Sequence, residues 1–209
     1  MTKITEGRLT LDFTDPWKAF KWDAQKSKGD PPPYYYYEGI EMLKGELKST
    51  RTDGSPGTRD ESTKAMDVVA ARPSSPLLLI EIKDFRSTGD GKRSVAFNGR
   101  WKELPLEIAL KVRDTLAGVY GVIHIGTATD AAWLRAALCD GVRIVALIPQ
   151  DAKRAGETDG KRKIRDAEML KNLQRRLAWL TRLEHQISVI DDLRTTLPPW
   201  LRGLTITST

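Results

Sequence analysis

Asp67, Glu81 and Lys83 are the residues whose types and spacing could do chemistry. The run from Leu77 to Phe85 reads LLLIEIKDF. Side chains alternate across a strand, so Glu81 and Lys83 share one face with Leu77, Leu79 and Phe85, while Leu78, Ile80 and Ile82 share the other. A run this apolar is expected to be buried on both faces, and a buried charge is costly unless it is paired or binds a metal. Asp67 is a lone acid in the preceding apolar run, KAMDVVAA, where aspartate is a poor strand former. If the two runs pair, Asp67 approaches Glu81, and two adjacent carboxylates need a cation. Mg²⁺ suits them, because it takes one or two carboxylates and completes its shell with water and phosphate oxygens. The expected ligands are Asp67, Glu81 and the Ile82 carbonyl, with Mn²⁺ able to substitute. A metal held there polarises a phosphodiester and activates a water. Lys83 adds a positive charge that orients the water and stabilises the transition state. The residues leave open whether Lys83 or a metal-bound hydroxide takes the proton. Read blandly, Glu-x-Lys in a strand is a solvated pair, and the chain is then an α/β interaction protein.

These residues need elements to position them. RPSSP joins residues 64–71 to 77–85 as a hairpin connection, and residues 8–13 alternate as a short strand. Residues 34–47 are read as a first helix, 49–62 and 87–94 as polar loops. From Leu104, Ala109, Val112, Leu116 and Val119 recur at helical spacing, with Pro105 in the first turn. A helix AAWLRAALC, a buried strand at 142–148, a loop at 150–162, a helix along Leu170, Leu173, Leu177 and Leu180, and a strand at 186–191 follow. Pro198-Pro199 begins a tail. Strands interleaved with helices predict an α/β fold with a mixed central sheet covered by helices on both faces. A single domain over 1–209 is expected, its core at about 34–150 and a helix-strand extension at about 163–191.

The chain has 209 residues, a net charge of +6 and 30% charged residues, which favours a polyanionic partner such as nucleic acid. Its single cysteine, Cys139, excludes an internal disulfide and a multi-cysteine zinc site, and is read as a packed thiol at a helix end. No run reaches the length of a membrane span, and a soluble, cytoplasmic protein is expected.

The order Asp67, then Glu81-Ile82-Lys83, resembles the D…(D/E)XK motif of the PD-(D/E)XK nuclease superfamily. More narrowly, KAMDVVAA, LLLIEIKDFR and LEIALKVRDTLAG in succession resemble a group of small bacterial restriction-endonuclease-like proteins over residues 60–120. The resemblance implies a restriction-endonuclease-like αβββαβ core and Mg²⁺-dependent hydrolysis of nucleic acid, with DNA the expected substrate, in bacterial antiphage defence or DNA processing. Met66 stands where the motif has proline. The first helix of such folds often supplies another acid, for which Glu38 and Asp23 are candidates.

Auxiliary residues follow. Glu103, Glu107 and Lys111 recur four apart opposite the apolar stripe. They form either a solvated ladder or a face that brings Lys111 or Arg113 to the metal or a phosphate. Lys64 and Arg86 flank the site as possible phosphate contacts. Lys161, Arg162 and Lys163 lie in a segment, 151–182, where ten basic residues face five acids, and could track a phosphate backbone. Tyr34 to Tyr37 pack a helix or stack on bases. His124 is read as a core or edge residue. A homodimer, or an ATPase or helicase partner, is expected to supply what a small nuclease lacks. The alternative keeps the fold without the activity, as a silent subunit that binds nucleic acid or scaffolds a larger complex.

Overall fold

The computed structural model describes residues 1–23, 46–50, 56–60, 65–86, 100–125, 128–150, 158–180, 186–193 and 196–208. Ten strands are seen there: β1 (Thr2–Glu6), β2 (Leu9–Phe13), β3 (Lys18–Lys21), β4 (Glu46–Thr50), β5 (Pro56–Asp60), β6 (Val68–Ala71), β7 (Leu77–Ile82), β8 (Val142–Leu147), β9 (Ile187–Ile190) and β10 (Leu204–Ser208). Three α-helices accompany them: α1 (Arg100–Ile125), α2 (Ala128–Cys139) and α3 (Asp159–Arg176).

The central sheet has five strands in the order β3-β6-β7-β8-β9. β6 pairs antiparallel with both β3 and β7, while β7, β8 and β9 run parallel. β7 is central and every residue in it is buried, which is why its sequence is an apolar run rather than an alternation. The fold is therefore α/β with a mixed sheet. One face packs on the helices through Val69, Leu77, Leu79, Ile108, Val112, Leu134 and Leu173. The opposite face is covered by a sheet, not by helices as expected. β1, β2 and β10 pair antiparallel, and Leu9, Leu11 and Phe13 alternate inward against Val68, Leu78 and Ile80. The strand after Pro198-Pro199 closes this layer and pairs with β2 from the far end of the chain. Gly203, at φ +90°, makes the turn before it, and a Cβ there would meet Trp17 Nε1 at 3.1 Å.

Other boundaries also move. Residues 46–50 and 56–60 pair as a hairpin, so the end of the expected first helix and part of the expected polar loop are strand. Polar composition does not prevent backbones from pairing. Helix α1 begins about one turn before Leu104 and carries Pro105 inside it. Helix α3 begins at Asp159 because the Thr158 hydroxyl accepts the Lys161 N–H, which places Lys161 and Arg162 on its first turns, beside Lys163, rather than on the expected loop. Cys139 ends α2 exposed rather than packed. His124 is likewise exposed, its ring 4.2 Å from that of Tyr120. Among the described residues no helix is long and apolar enough to cross a membrane.

Candidate active site

The site forms where β6 begins and β7 ends. The register pairs Val68 with Ile80. One step outward, Asp67 therefore stands opposite Glu81, and an Asp67 oxygen accepts the Ile82 N–H. Glu81 is 0% exposed and its neighbour Asp67 5%. The chain continues past β7 in extended form, since Lys83 N–H donates to the Leu147 carbonyl, so Lys83 returns to the Glu81 face. Its Nζ lies 3.2 Å from Glu81 Oε1.

Helix α1 crosses this end of the sheet and supplies the rest. Lys111 Nζ donates to both Glu81 oxygens, at 2.7 and 2.9 Å, and stands 3.7 Å from Asp67 Oδ1. Glu107, one turn earlier, pairs with Lys83 at 3.1 Å. Of the two readings of the Glu103-Glu107-Lys111 series, the one in which Lys111 reaches the site describes the structure. Thr115, fully buried one turn further on, accepts the Met66 N–H at 2.8 Å. That bond satisfies the amide next to Asp67, and sequence reasoning missed it. The available signal was a hydroxyl inside the stripe formed by Ile108, Val112, Val119 and Val122. Thr115→Val is expected to destabilise the chain by about 1–3 kcal/mol, because it orphans a buried amide at nearly constant volume. Denaturant titration of the two proteins checks this.

Asp23 joins from the turn after β3, not from a helix. Trp22 N–H donates to the Asp67 carbonyl at 2.9 Å and holds that turn against the site. Burial pushes the Asp23 carboxyl up to about 7, with Asp67 and Glu6 charges and a hydrogen bond to Asp67 adding to the rise. Its Oδ1 is buried without a hydrogen-bond partner. Burial likewise raises Asp67, against the pull of Lys111, the Ile82 N–H and Lys83. Glu81 is pushed up to about 8 by burial and then by Asp67, while Lys111 and Lys83 oppose the shift. For Lys83, burial lowers the pKa, but Glu81 and Glu107 outweigh it and hold the ammonium above its ordinary value.

Among the described residues, no three His, Cys, Asp or Glu side chains are grouped closely enough to cage a metal. The arrangement is an open pair of carboxylates, Asp67 and Glu81, with the orphaned Asp23 oxygen nearby. Mg²⁺ is usually held by one or two carboxylates with water and substrate phosphate, so the donor set fits it.

The remaining candidates disperse. Arg86 donates to Asp84 at 2.8–3.0 Å and to Ser208 Oγ at 2.6 Å, and Arg8 also binds Asp84 and the Arg86 carbonyl. Those bonds tie the β7 exit to the terminal sheet. Arg113 pairs with Asp114 and is 62% exposed. Arg162 is bound to Asp191 at 2.6 Å, whereas Lys161 and Lys163 are exposed. Lys64, Glu38 and Tyr34 to Tyr37 lie outside the described residues.

No family model matches the chain, and no solved structure matches it. It is similar to a cysteine--tRNA ligase of Neisseria meningitidis, 31% identical over 124 residues, which cover 57% of this chain. The match spans 17% of the length of that ligase.

Proposed function

We propose that the chain is a metal-dependent phosphodiesterase acting on nucleic acid, of the PD-(D/E)XK kind. The observation that carries this reading is the convergence of Asp67, Glu81 and Lys83 at one end of a buried strand pair, where two desolvated carboxylates beside an ammonium make a candidate cation site. Pairing of β6 with β7, the helix α1 that follows, and β8 parallel to β7 are the features that support a restriction-endonuclease-like core. Asp67, Glu81 and the Ile82 carbonyl are the residues that would hold Mg²⁺ or Mn²⁺. When bound, such an ion supplies Lewis-acid polarisation of the scissile phosphate and a water of lowered pKa. Lys83 is kept protonated by Glu81 and Glu107, so its part is to place positive charge against the phosphate and its attacking water. Asp67, fixed through one oxygen by the Ile82 N–H, would have its other oxygen to offer such an ion. The exposed Lys161 and Lys163 are proposed phosphate contacts.

The test is cleavage of labelled single- and double-stranded DNA and RNA in Mg²⁺, Mn²⁺ or EDTA. Transfer RNA belongs in the panel because the similar ligase is named for it. Metal-dependent cutting that EDTA abolishes is the expected outcome. Binding without cutting, on every substrate, would instead favour the silent subunit. The observation on that side is that Lys111 already neutralises the carboxylates. An ATPase or helicase partner, or a second copy of the chain, is the proposed source of targeting.

A further inference from the structure

Two lysines reach Glu81, and they are not equivalent. Lys83 stands to one side, shared with Glu107, and its side chain is 27% exposed. Lys111 stands between the two buried acids, 12% exposed, within 2.7 Å of Glu81 and 3.7 Å of Asp67. Among the described residues no other cation stands within ion-pair distance of both carboxylates. Two neighbouring carboxylates out of water repel each other, and removing the partner of a buried charge is strongly destabilising. Lys111 is therefore the lysine that bridges Asp67 and Glu81 in this structure. An ion bound to both carboxylates needs bonds of about 2.0–2.1 Å, and the ammonium fills the space between the same oxygens. Both cannot be there at once.

We propose that Lys111 is the resident cation of the metal-free site, that it competes with a divalent ion for Glu81 and Asp67, and that it withdraws on its flexible four-carbon stem when the ion binds. This rests on the phosphodiesterase reading only for the identity of the competitor. It deepens that reading by making metal affinity a property set from helix α1. The carboxylates fix where the ion sits, and Lys111 fixes how much metal is needed to load the site.

The experiment is calorimetric titration of the purified chain with Mn²⁺ and with Mg²⁺, together with melting curves with and without metal. The proteins are the wild type, Lys111→Met, Lys111→Arg and the pair Glu81→Gln/Lys111→Met. Lys111→Met is expected to melt below the wild type without metal and to bind Mn²⁺ at least about tenfold tighter, since the ion no longer has to displace a buried ion pair. Its stabilisation by metal should exceed that of the wild type. Lys111→Arg keeps the charge and should keep weak binding. If Lys111→Met binds metal no tighter than a wild type that does bind, the proposal fails and the phosphodiesterase reading stands. If the wild type and Lys111→Met both bind no metal, the metal reading falls and this one with it. If Lys111→Met does not fold without metal, refolding in Mn²⁺ should restore it. Failure there, with the Glu81→Gln/Lys111→Met pair also unfolded, would show that Lys111 acts through packing and overturn the proposal.

Discussion

Lys83→Met is expected to lower metal-dependent cleavage by about 10²–10³-fold, the range for removing one preorganised charge or donor from a reacting phosphate or carbonyl. The side chain is half-buried between Glu81 and Glu107, and methionine preserves its length. The loss should fall on kcat rather than on KM if the charge acts on the transition state. Lys83→Arg keeps the charge and should retain more activity than the methionine variant. The pH profile separates two roles. A lysine at its ordinary pKa is neutral in fewer than about one molecule in a thousand at neutral pH. Glu81 and Glu107 hold Lys83 further toward the charged form. A Lys83 general base would make the rate climb through the alkaline range, with the climb lost in Lys83→Arg. A Lys83 cation predicts no such limb. Glu81→Gln is the companion test, because it removes a proposed metal ligand at constant shape and should abolish cutting in both Mg²⁺ and Mn²⁺. Full activity in either variant would remove these residues from the chemistry.

The acids and lysine of the central strands were legible because strand geometry is local. Alternation puts Glu81 and Lys83 on one face, and a five-residue connection allows little choice of partner for β7, so Asp67 had one place to go. The residues on α1 were harder. A Glu107-Lys111 pair has the same spacing whether its helix turns it to solvent or to a sheet, and the rotation is decided by Ile108 and Val112 packing on β7. Asp23 carries no local signal. It sits on a turn after an edge strand, 44 positions before Asp67, and only the pairing of β3 with β6 brings it in. The second sheet was missed for a related reason. LTITS alternates weakly after two prolines, and its partner β2 lies nearly the whole chain away. Non-local pairing leaves no periodicity in either segment beyond what a solvated strand would show. Helices on both faces were the generic expectation for interleaved strands and helices, and a closing sheet made from the two ends of the chain satisfies the same apolar face.

Melting the metal-free chain across pH tests the electrostatics of the site without any assumption about substrate. Glu81 rises from 4.5 to about 8 on folding and Asp23 from 3.8 to about 7, with burial the leading cause in both. Asp67 moves in the same direction. A carboxyl whose pKa is raised in the folded state binds a proton there that the unfolded chain has already released. Between the unfolded and folded values the native state therefore holds more protons, and stability falls as pH rises. The metal-free chain is expected to melt at least about 5 °C higher near pH 5.5 than near pH 8.5. Lys83 does not disturb this window, because its raised pKa places any loss of stability above the ordinary lysine range. Asp84, lowered by its bonds to Arg86 despite burial, loses its contribution only on the acid side. Asp166, raised to about 6 by burial and then by Asp191, adds to the same slope from α3, and Asp166→Asn isolates its share. Glu81→Gln should flatten a large part of the remaining slope, leaving the shares of Asp23 and Asp67. A divalent ion should flatten it too, because it favours the ionised form of the carboxyls it would bind. Stability that instead rises from pH 5.5 to 8.5 would mean that Lys111 and Lys83 fully compensate the buried acids, and that the site is an ion-paired cluster with no net demand for a further cation.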